Sequence, residues 1–339
     1  MADLAATFRT FAEREALPTS PLYAALAHGV AGDDALLALA DRARPGQPRP
    51  NMLFAAVHAL LLAGQGSDLA RHYASLADTP VPAAEAFGLF RHFCLEHEEA
   101  IAALLAGRSV GTNEVARCAV IRAGMAEVMA QSTGPLHVVE AGASAGLLLL
   151  WPRVAVDYGD GAPTGGDLAL SCLSRGAPVP TAMAAERIGS SVGLDLDPMN
   201  LEAHEDRLWL DALIWPEHRE RRARLRAAID LARRAGIAVL RGDAIGDLPA
   251  LLEGLPAGEA ACVFHAFTFN QIPAPMADRF VVALCAASLV RPVFRLAYEW
   301  GEGDAPELTL TAVTRGAAMP SRRLANAEAH GRWIAWCAA

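Results

Sequence analysis

Apolar residues in the first part of the chain recur at helical spacing, and strand-like alternation is almost absent before residue 132. Two aspartates precede the apolar run at 36–40, as expected for the first turn of a helix. The stretch 51–63 is apolar on nearly every side except at Asn51 and His58, which predicts a buried central helix. Residues 1–132 are therefore predicted to form a helical N-terminal domain.

A different pattern follows Pro135, where short runs rich in β-forming residues alternate with helical segments. Strands separated by helices require crossover connections, and they predict a parallel sheet. Residues 133–339 are therefore predicted to form a doubly wound, Rossmann-like α/β domain. A segment at 152–187, rich in Gly and Pro, is interpreted as an insertion suited to a lid over a pocket. The predicted strands lie at 136–140, 191–195, 237–241, 261–265 and 293–298, followed by a C-terminal edge hairpin at 308–313 and 331–336.

The overall composition and charge of the chain favour some classes of protein over others. Hydrophobic residues make up 53% of the 339 residues and charged residues 20%, which is enough apolar material for a large core. The formal net charge of -9 disfavours a nucleic-acid binder that works through its overall field. The sequence has no basic start followed by an apolar run, and its six cysteines form no C-x-x-C pair. We expect a cytoplasmic protein without a membrane partner.

The sharpest local signal is a loop of alternating small residues after the first predicted strand, Glu140-Ala-Gly142-Ala-Ser144-Ala-Gly146. A helical run at 147–151 follows it directly. Small residues let the backbone turn tightly and let a ligand approach main-chain N–H groups. The loop therefore predicts a ligand site, and its structural alternative is a tight strand-to-helix turn that binds nothing.

Three functional interpretations of this loop compete. A dinucleotide-binding loop needs G-x-G-x-x-G, whereas here the small residues fall on alternate positions. A serine hydrolase is a closer alternative, because Gly142-x-Ser144-x-Gly146 matches the G-x-S-x-G nucleophile elbow. That elbow needs earlier strands and an oxyanion loop, and the preceding residues are predicted to be helical. The third interpretation is the S-adenosylmethionine loop, in which an acid precedes the small residues, and Glu140 stands at that position.

Acids follow two further predicted strands, in the order found in class I S-adenosylmethionine-dependent methyltransferases. The run 193–198 resembles that family's G-x-D-x-x-P segment, and the resemblance implies that Asp195 accepts hydrogen bonds from the ribose hydroxyls. The run 242–244 resembles its G-D-A segment, which implies that Asp243 binds the adenine amino group. The implied cofactor is S-adenosylmethionine, and the implied cofactor-binding residues are Glu140, Gly142, Ser144, Gly146, Asp195 and Asp243.

Two choices within this resemblance stay open. Asp157 is the ribose acid if the insertion holds the second strand, although Asp195 is preferred. His265, at the end of the fourth predicted strand, is the candidate general base, and Glu299, at the end of the fifth, is a second candidate catalytic residue. The structural alternatives are a buried histidine and a Glu299 paired with an arginine such as Arg295. No N-P-P-Y pattern follows His265, which disfavours adenine or amide nitrogens as methyl acceptors.

Two other clusters are weighed and set aside. His92, Cys94, Glu96 and His97 suggest a metal site, but no H-E-x-x-H or C-x-x-C spacing completes a ligand set. The basic run at 218–226 is interpreted as a solvated helix face in preference to an RNA site. Neither metal nor nucleic acid is therefore predicted as a partner.

Six runs carry a wider resemblance: Thr112-Asn-Glu-Val-x-Arg117-Cys118, Gly142-Ala-Ser-Ala-Gly-Leu147, Val156-Asp-Tyr-Gly159, Gly193-Leu-Asp-Leu-x-Pro198, Trp209-Leu-x-Ala-Leu-x-Trp-Pro-Glu217 and His330-Gly-Arg-Trp333. In these runs the chain resembles a bacterial family catalogued as domain of unknown function 2332, a resemblance that implies no reaction. Thr112 is also predicted to cap a helix. The predicted function is methylation of a small molecule by an α/β, methyltransferase-type domain. The alternatives are a Ser144 hydrolase and a non-catalytic protein that binds adenosyl ligands.

Overall fold

The structure is a computed structural model that describes residues 2–66, 68–111, 114–159 and 161–337. The predicted cap at Thr112 lies outside the described residues. The helices are α1 (Ala2–Thr10), α2 (Pro21–Val30), α3 (Asp34–Ala40), α4 (Arg49–Leu62), α5 (Ala86–Glu96), α6 (Glu98–Gly107), α7 (Arg117–Gln131), α8 (His204–Ala212), α9 (Arg219–Ala235), α10 (Leu248–Glu253) and α11 (Ala274–Ala287). The strands are β1 (Leu136–Ala141), β2 (Val154–Asp157), β3 (Leu168–Ser171), β4 (Leu173–Gly176), β5 (Ile188–Asp195), β6 (Val239–Arg241), β7 (Ala260–Ala266), β8 (Val293–Glu299), β9 (Glu307–Thr314), β10 (Ala317–Ala318), β11 (Arg322–Ala327) and β12 (Trp333–Trp336).

The chain folds as two compact units, and their boundaries differ from the predicted division after residue 132. One unit comprises the described residues of Met1–Thr112 together with Leu201–Arg226. The other comprises the described residues of Asn113–Asn200 together with Ala227–Ala339. Helix α7, predicted as part of the helical domain, therefore belongs to the unit that contains the large sheet. Helix α8, which follows the second strand of the predicted α/β domain, belongs to the helical unit.

An aromatic cluster forms the core of the helical unit. Phe54 of α4 is completely buried, and its ring packs against those of Phe8, Phe11, Tyr23 and Phe90 at centroid distances between 4.7 and 6.1 Å. Rings packed edge-on or offset at these distances add attraction beyond their buried area. The predicted buried central helix is thus confirmed as α4, which spans Arg49–Leu62.

Polar and aromatic contacts attach residues 201–226 to the helical unit. The carboxylate of Glu217 accepts a hydrogen bond from the Ser20 hydroxyl at 2.7 Å and another from the Leu22 N–H at 3.1 Å. The ring of Trp215 lies 5.5 Å from that of Phe11. Because these partners lie almost two hundred residues apart in sequence, periodicity alone could not assign the segment to its unit.

A large sheet dominates the second unit, in the order β4-β12-β11-β9-β8-β7-β1-β5-β6, with β10 paired to β9. Strands β6, β5, β1, β7 and β8 are parallel, and β9 runs antiparallel to β8. The predicted mostly parallel sheet is therefore confirmed, and each of its five predicted parallel strands is present with shifted ends. Gly124 of α7 allows a close approach to the sheet, since a Cβ there would lie 2.7 Å from Leu296 Cδ1.

The predicted insertion at 152–187 contributes to the sheet. Strands β2 and β3 form a separate parallel pair, and β4 pairs in parallel with β12. The two strands of the predicted C-terminal hairpin are present as β9 and β12, but β11 lies between them and pairs with both, so they form no hairpin with each other. Strand β4 covers β12, which is therefore not the sheet edge. Backbone hydrogen bonds hold β4 in the sheet, and the interpretation of the insertion as a lid stays a prediction.

In the described part of the chain, no single helix is both long enough and apolar enough to cross a bilayer. Helices α2 and α3 meet that requirement only as a pair, and the chain bends by 108° between them.

A histidine of the helical unit is buried without charge. His58 of α4 is completely buried, its Nδ1 lies 3.0 Å from the carbonyl oxygen of Ala212, and its Nε2 lies 2.8 Å from Ser75 Oγ. Burial lowers its pKa from 6.5 to about 4, and the charge of Arg222 acts in the same direction. The folded protein therefore holds a neutral imidazole at neutral pH.

We predict that acid weakens the protein through His58. Between pH 6.5 and about 4 the unfolded chain binds a proton that the folded chain excludes. The free energy of unfolding should therefore decrease as the pH falls through this window, by up to about 3 kcal/mol from this residue. Urea unfolding of the wild type and of His58→Gln, measured at several pH values, checks the expectation. The variant should show a shallower pH dependence, and equal slopes would contradict the assignment.

Candidate functional site

The loop after β1 is strained at its middle residue. Gly142 and Gly146 have φ values of 75° and 70°, and Ser144 between them has a φ of 51°. A non-glycine residue in this region costs energy, and such strain concentrates at functional sites. The N–H of Gly142 donates to the carbonyl oxygen of Leu194 at 2.8 Å, so the loop crosses the end of β5.

Asp195, the last residue of β5, binds this loop directly. Its Oδ2 accepts the N–H of Ser144 at 2.7 Å, and its Oδ1 accepts the N–H of Asp197 at 2.8 Å. Asp157 ends β2, which pairs with β3 outside the large sheet, and its carboxylate accepts the N–H of Gly159. The structure therefore places Asp195, and not Asp157, at the end of the strand beside β1.

Glu140 near the end of β1 is a buried acid. Its residue surface is 2% exposed, and its Oε2 has no hydrogen-bond partner among the described residues. Burial raises the pKa of Glu140 well above its usual value, and the neighbouring charge of Asp195 raises it further. A buried carboxyl oxygen without a partner is rare in folded proteins, which makes Glu140 a candidate to meet a ligand atom.

Asp243 follows β6 and forms a turn beside Asp195. Its Oδ1 accepts the N–H of Ile245 at 2.9 Å, and its own N–H donates to Asp247 at 2.8 Å. The N–H of Gly242 donates to the carbonyl oxygen of Asp195 at 2.9 Å. The predicted acids after β1, β5 and β6 thus lie on neighbouring strands at the same edge of the sheet.

His265 of β7 lies in a buried ion-pair network. Its Nδ1 lies 2.6 Å from Glu299 Oε1, and its Nε2 accepts the Nε–H of Arg295 at 3.0 Å. The side chain is completely buried, and its ring centroid is 4.0 Å from that of Phe269. Burial lowers the pKa of His265, and Arg295 adds to this while Glu299 opposes it. The lone pair of Nε2 thus accepts the Arg295 N–H while Nδ1 faces a carboxylate, and the role of His265 as a general base stays a prediction.

Glu299 holds the loop after β7. It accepts the N–H groups of Thr268 at 3.0 Å and Phe269 at 3.1 Å through the same oxygen that meets His265. Burial alone would raise the pKa of Glu299, but the bonds from His265 and from these N–H groups outweigh it and lower the pKa. Both predicted catalytic residues therefore act on the loop at 267–270.

This second loop lies against the first. Phe267 is strained at a φ of 57°, and the Arg117 guanidinium lies 4.0 Å from the centre of its ring. A Cβ on Gly142 would come within 2.5 Å of the Thr268 side chain. Glycine is required at position 142 because the two loops touch there.

Sequence reasoning missed Arg117 and Phe267 as parts of this region. The Nε of Arg117 donates to the carbonyl oxygen of Ala329 at 2.8 Å, and Gly331 packs against Ala116 so closely that a Cβ would lie 2.4 Å from its oxygen. Two of the resemblance runs supplied a signal, since residues 116 and 117 of one run meet residue 331 of the other at the start of α7. Nothing in the sequence alone paired them.

The two alternative sites, Ser144 and the metal cluster at residues 92–97, differ in the contacts that they make. Ser144 is held through its main chain, since its N–H donates to Asp195 and its carbonyl oxygen accepts the N–H of Met199 at 3.2 Å. The set-aside metal cluster retains one weak contact, with His92 Nε2 3.7 Å from Glu96 Oε2. Within the described ranges, no group of three or more His, Cys, Asp or Glu side chains could hold a metal ion.

We predict that Glu299→Gln destabilises the protein by about 3 kcal/mol, because it removes the acceptor charge from a buried pair and leaves Arg295 and His265 uncompensated. Chemical unfolding monitored by circular dichroism measures the loss. Glu302→Gln is the matched control, since Glu302 is exposed three residues away and its substitution should change the free energy of unfolding by less than about 0.5 kcal/mol. Equal effects of the two substitutions would contradict the role of Glu299 in holding the loop.

Comparison with known proteins gives one family. The family model described as an uncharacterized protein conserved in bacteria (DUF2332) matches residues 5–336, which include parts of both units. No curated protein matches the chain.

Proposed function

The chain belongs to the DUF2332 family of bacterial proteins. From its sheet and loops we propose that it is an S-adenosylmethionine-dependent methyltransferase acting on a small molecule. One observation carries the proposal: Asp195 Oδ2 accepts the N–H of Ser144 at 2.7 Å. An acid suited to ribose hydroxyls therefore lies directly beside a loop suited to close ligand approach.

The order of the parallel strands supports this assignment. Counted along the chain, the five parallel strands β6, β5, β1, β7 and β8 are ordered third, second, first, fourth and fifth. Doubly wound nucleotide-binding sheets have this order, and their ligands lie outside the carboxyl ends of the strands where the order reverses. Here the reversal falls between β1 and β7, whose following loops touch at Gly142 and Thr268.

The side chains at this point fit the proposed cofactor. Asp195 would bind the ribose hydroxyls, Asp243 would bind the adenine amino group, and the backbone of 142–146 would line the cofactor. The unpartnered Oε2 of Glu140 would accept a hydrogen bond from the cofactor, and a nearby positive charge would favour the ionised form of this acid. Bound S-adenosylmethionine would supply a methyl group activated by its sulfonium charge.

The contribution of the protein would be mainly alignment. Methyl transfer depends on holding acceptor and methyl group in line, and such positioning accounts for a large part of catalytic rate in general. Glu299, His265 and Arg295 fix the loop at 267–270 beside Gly142. We assign that loop to the acceptor, with His265 and Glu299 as positioning residues.

One observation favours the hydrolase as the second candidate. The φ of 51° at Ser144 is the kind of strain that a nucleophile elbow imposes on its serine. An adenosyl-ligand sensor without turnover would use the same residues as the methyltransferase. Labelling of Ser144 by an organophosphonate would identify the hydrolase, and binding without methyl transfer would identify the sensor.

We predict that S-adenosylmethionine or its demethylated product stabilises the wild-type protein. A ligand at about 100 times its dissociation constant adds about 2.7 kcal/mol to the free energy of unfolding, which corresponds to a few degrees in melting temperature. Asp195→Asn should weaken binding at least about tenfold, or ~1.4 kcal/mol, because one carboxylate oxygen becomes an NH2 group, which donates and cannot accept from a ribose hydroxyl. Calorimetric titration measures the dissociation constants.

Asp157→Asn is the matched control, since it makes the same change in an exposed acid at the end of a strand outside the large sheet. It should leave affinity within about twofold, well under ~1 kcal/mol. Absence of both heat and thermal shift in the wild type would refute the proposed cofactor. Equal losses in both variants would refute the assignment of Asp195 to the ribose.

A further inference from the structure

Three polar side chains meet at the opposite edge of the large sheet, where the parallel strands begin. His137 is the second residue of β1, Ser190 lies near the start of β5, and Glu259 immediately precedes β7. His137 Nδ1 lies 2.7 Å from Ser190 Oγ, and His137 Nε2 lies 2.6 Å from Glu259 Oε2. A hydroxyl, an imidazole and a carboxylate are therefore joined in one line of hydrogen bonds.

The partners determine which nitrogen of the neutral imidazole carries its proton. A carboxylate has only acceptor sites, so the nitrogen facing Glu259 carries the proton and donates it. The nitrogen facing Ser190 is consequently the basic one and accepts the serine O–H. This is the arrangement by which a histidine, oriented by an acid, activates a serine nucleophile. The two ring nitrogens exchange roles relative to the serine proteases, but either nitrogen of an imidazole is a competent base.

The backbone next to Ser190 allows its close contact with His137. The pairing of β1 with β5 shifts between Leu136 and His137, so that Gly189 has no partner in the register. A Cβ on Gly189 would lie 2.7 Å from the His137 ring, so glycine lets the imidazole rest against the strand. Bulges of this kind reorient side chains next to active sites. Ser190 is exposed, whereas the His137 ring is only 6% exposed.

We propose that Ser190, His137 and Glu259 form a second catalytic site that hydrolyses small acyl esters. Ser190 Oγ attacks the ester carbonyl carbon, and its proton passes to His137 Nδ1. That proton then leaves with the alcohol as the ester C–O bond breaks and an acyl-serine remains. Water, deprotonated by His137, hydrolyses the acyl-serine and restores the serine, so that ester and water become alcohol and acid. Glu259 is the positioning residue, because it touches only the imidazole.

A second serine–histidine pair provides an internal comparison. His58 and Ser75 in the helical unit also lie within hydrogen-bond distance, at 2.8 Å. There a backbone carbonyl replaces the carboxylate, since His58 Nδ1 faces Ala212 O, and Ser75 is partly buried. A carbonyl holds the ring but supplies no charge to stabilise an imidazolium. Ser75→Ala is therefore the matched control for a hydroxyl bonded to histidine without a triad.

Labelling of the purified full-length chain with a fluorophosphonate, followed by peptide mass spectrometry, tests the site, together with hydrolysis of p-nitrophenyl acetate. The probe should attach to Ser190. Ser190→Ala should abolish labelling and lower hydrolysis at least about 100-fold at an unchanged melting temperature, because the nucleophile carries most of the rate. Glu259→Gln should lower kcat about tenfold or more with little change in KM. Ser75→Ala should retain labelling and hydrolysis.

Four outcomes would overturn the proposal: no labelling of the wild type, labelling at Ser144 or Ser75 alone, hydrolysis that persists in Ser190→Ala, or a Glu259→Gln protein with unchanged kcat. These results do not depend on adenosyl-ligand binding, because the three residues lie at the edge opposite to Asp195. A protein that binds S-adenosylmethionine and fails to label would retain the first proposal and lose this one.

Discussion

At the carboxyl edge of a parallel sheet, the backbone N–H groups that leave a strand lose their ladder partners, and buried ones must be bonded elsewhere. Two acids meet this need in the second unit. Asp195 accepts the N–H of Ser144 in the loop after β1, and Glu299 accepts those of residues 268 and 269 in the loop after β7. Each acid ends the strand next to the loop that it holds. Both loops are thereby held in place where they meet, at Gly142 and Thr268.

The parts of this arrangement that sequence could predict are those with a strong local pattern. Apolar runs bounded by acids and glycines predicted the five parallel strands, and the same pattern identified Asp195 as an acid at a strand end. Pairing between distant segments has no such local pattern. The pairing of β4 with β12 joins residues about 160 positions apart, and the hydrogen bond of Glu217 with Ser20 joins residues 197 positions apart. Such long-range contacts determine the place of β12 in the sheet and the unit to which residues 201–226 belong, and neither could be predicted from the local pattern.

The surroundings of His265 are a second example of what the sequence could not predict. Its place at the end of β7 could be predicted, but the state of its two nitrogens could not. In the register of β7 with β8, His265 faces Ala297, so Arg295 lies two residues away on the same face of the neighbouring strand. This register brings the guanidinium to Nε2, so that the lone pair of this nitrogen accepts the Arg295 N–H. A register is a property of two strands and is absent from the sequence of either one.

The two edges of the sheet share β1 and β5, and the one register shift between these strands lies at the edge where they begin. The register shift between Leu136 and His137 accommodates the unpaired Gly189, and from His137 onward the pairing is continuous through Ala141 with Leu194. The shift therefore turns Ser190 toward the imidazole without moving the end of β5, five residues further on. At about 3.3 Å per residue, this separation is roughly 17 Å, too long for one small ligand to contact both Ser190 and Asp195. The pairing of β1 with β5 between the two edges has no second register shift. We therefore expect a substitution at one edge to leave the geometry of the other edge unchanged.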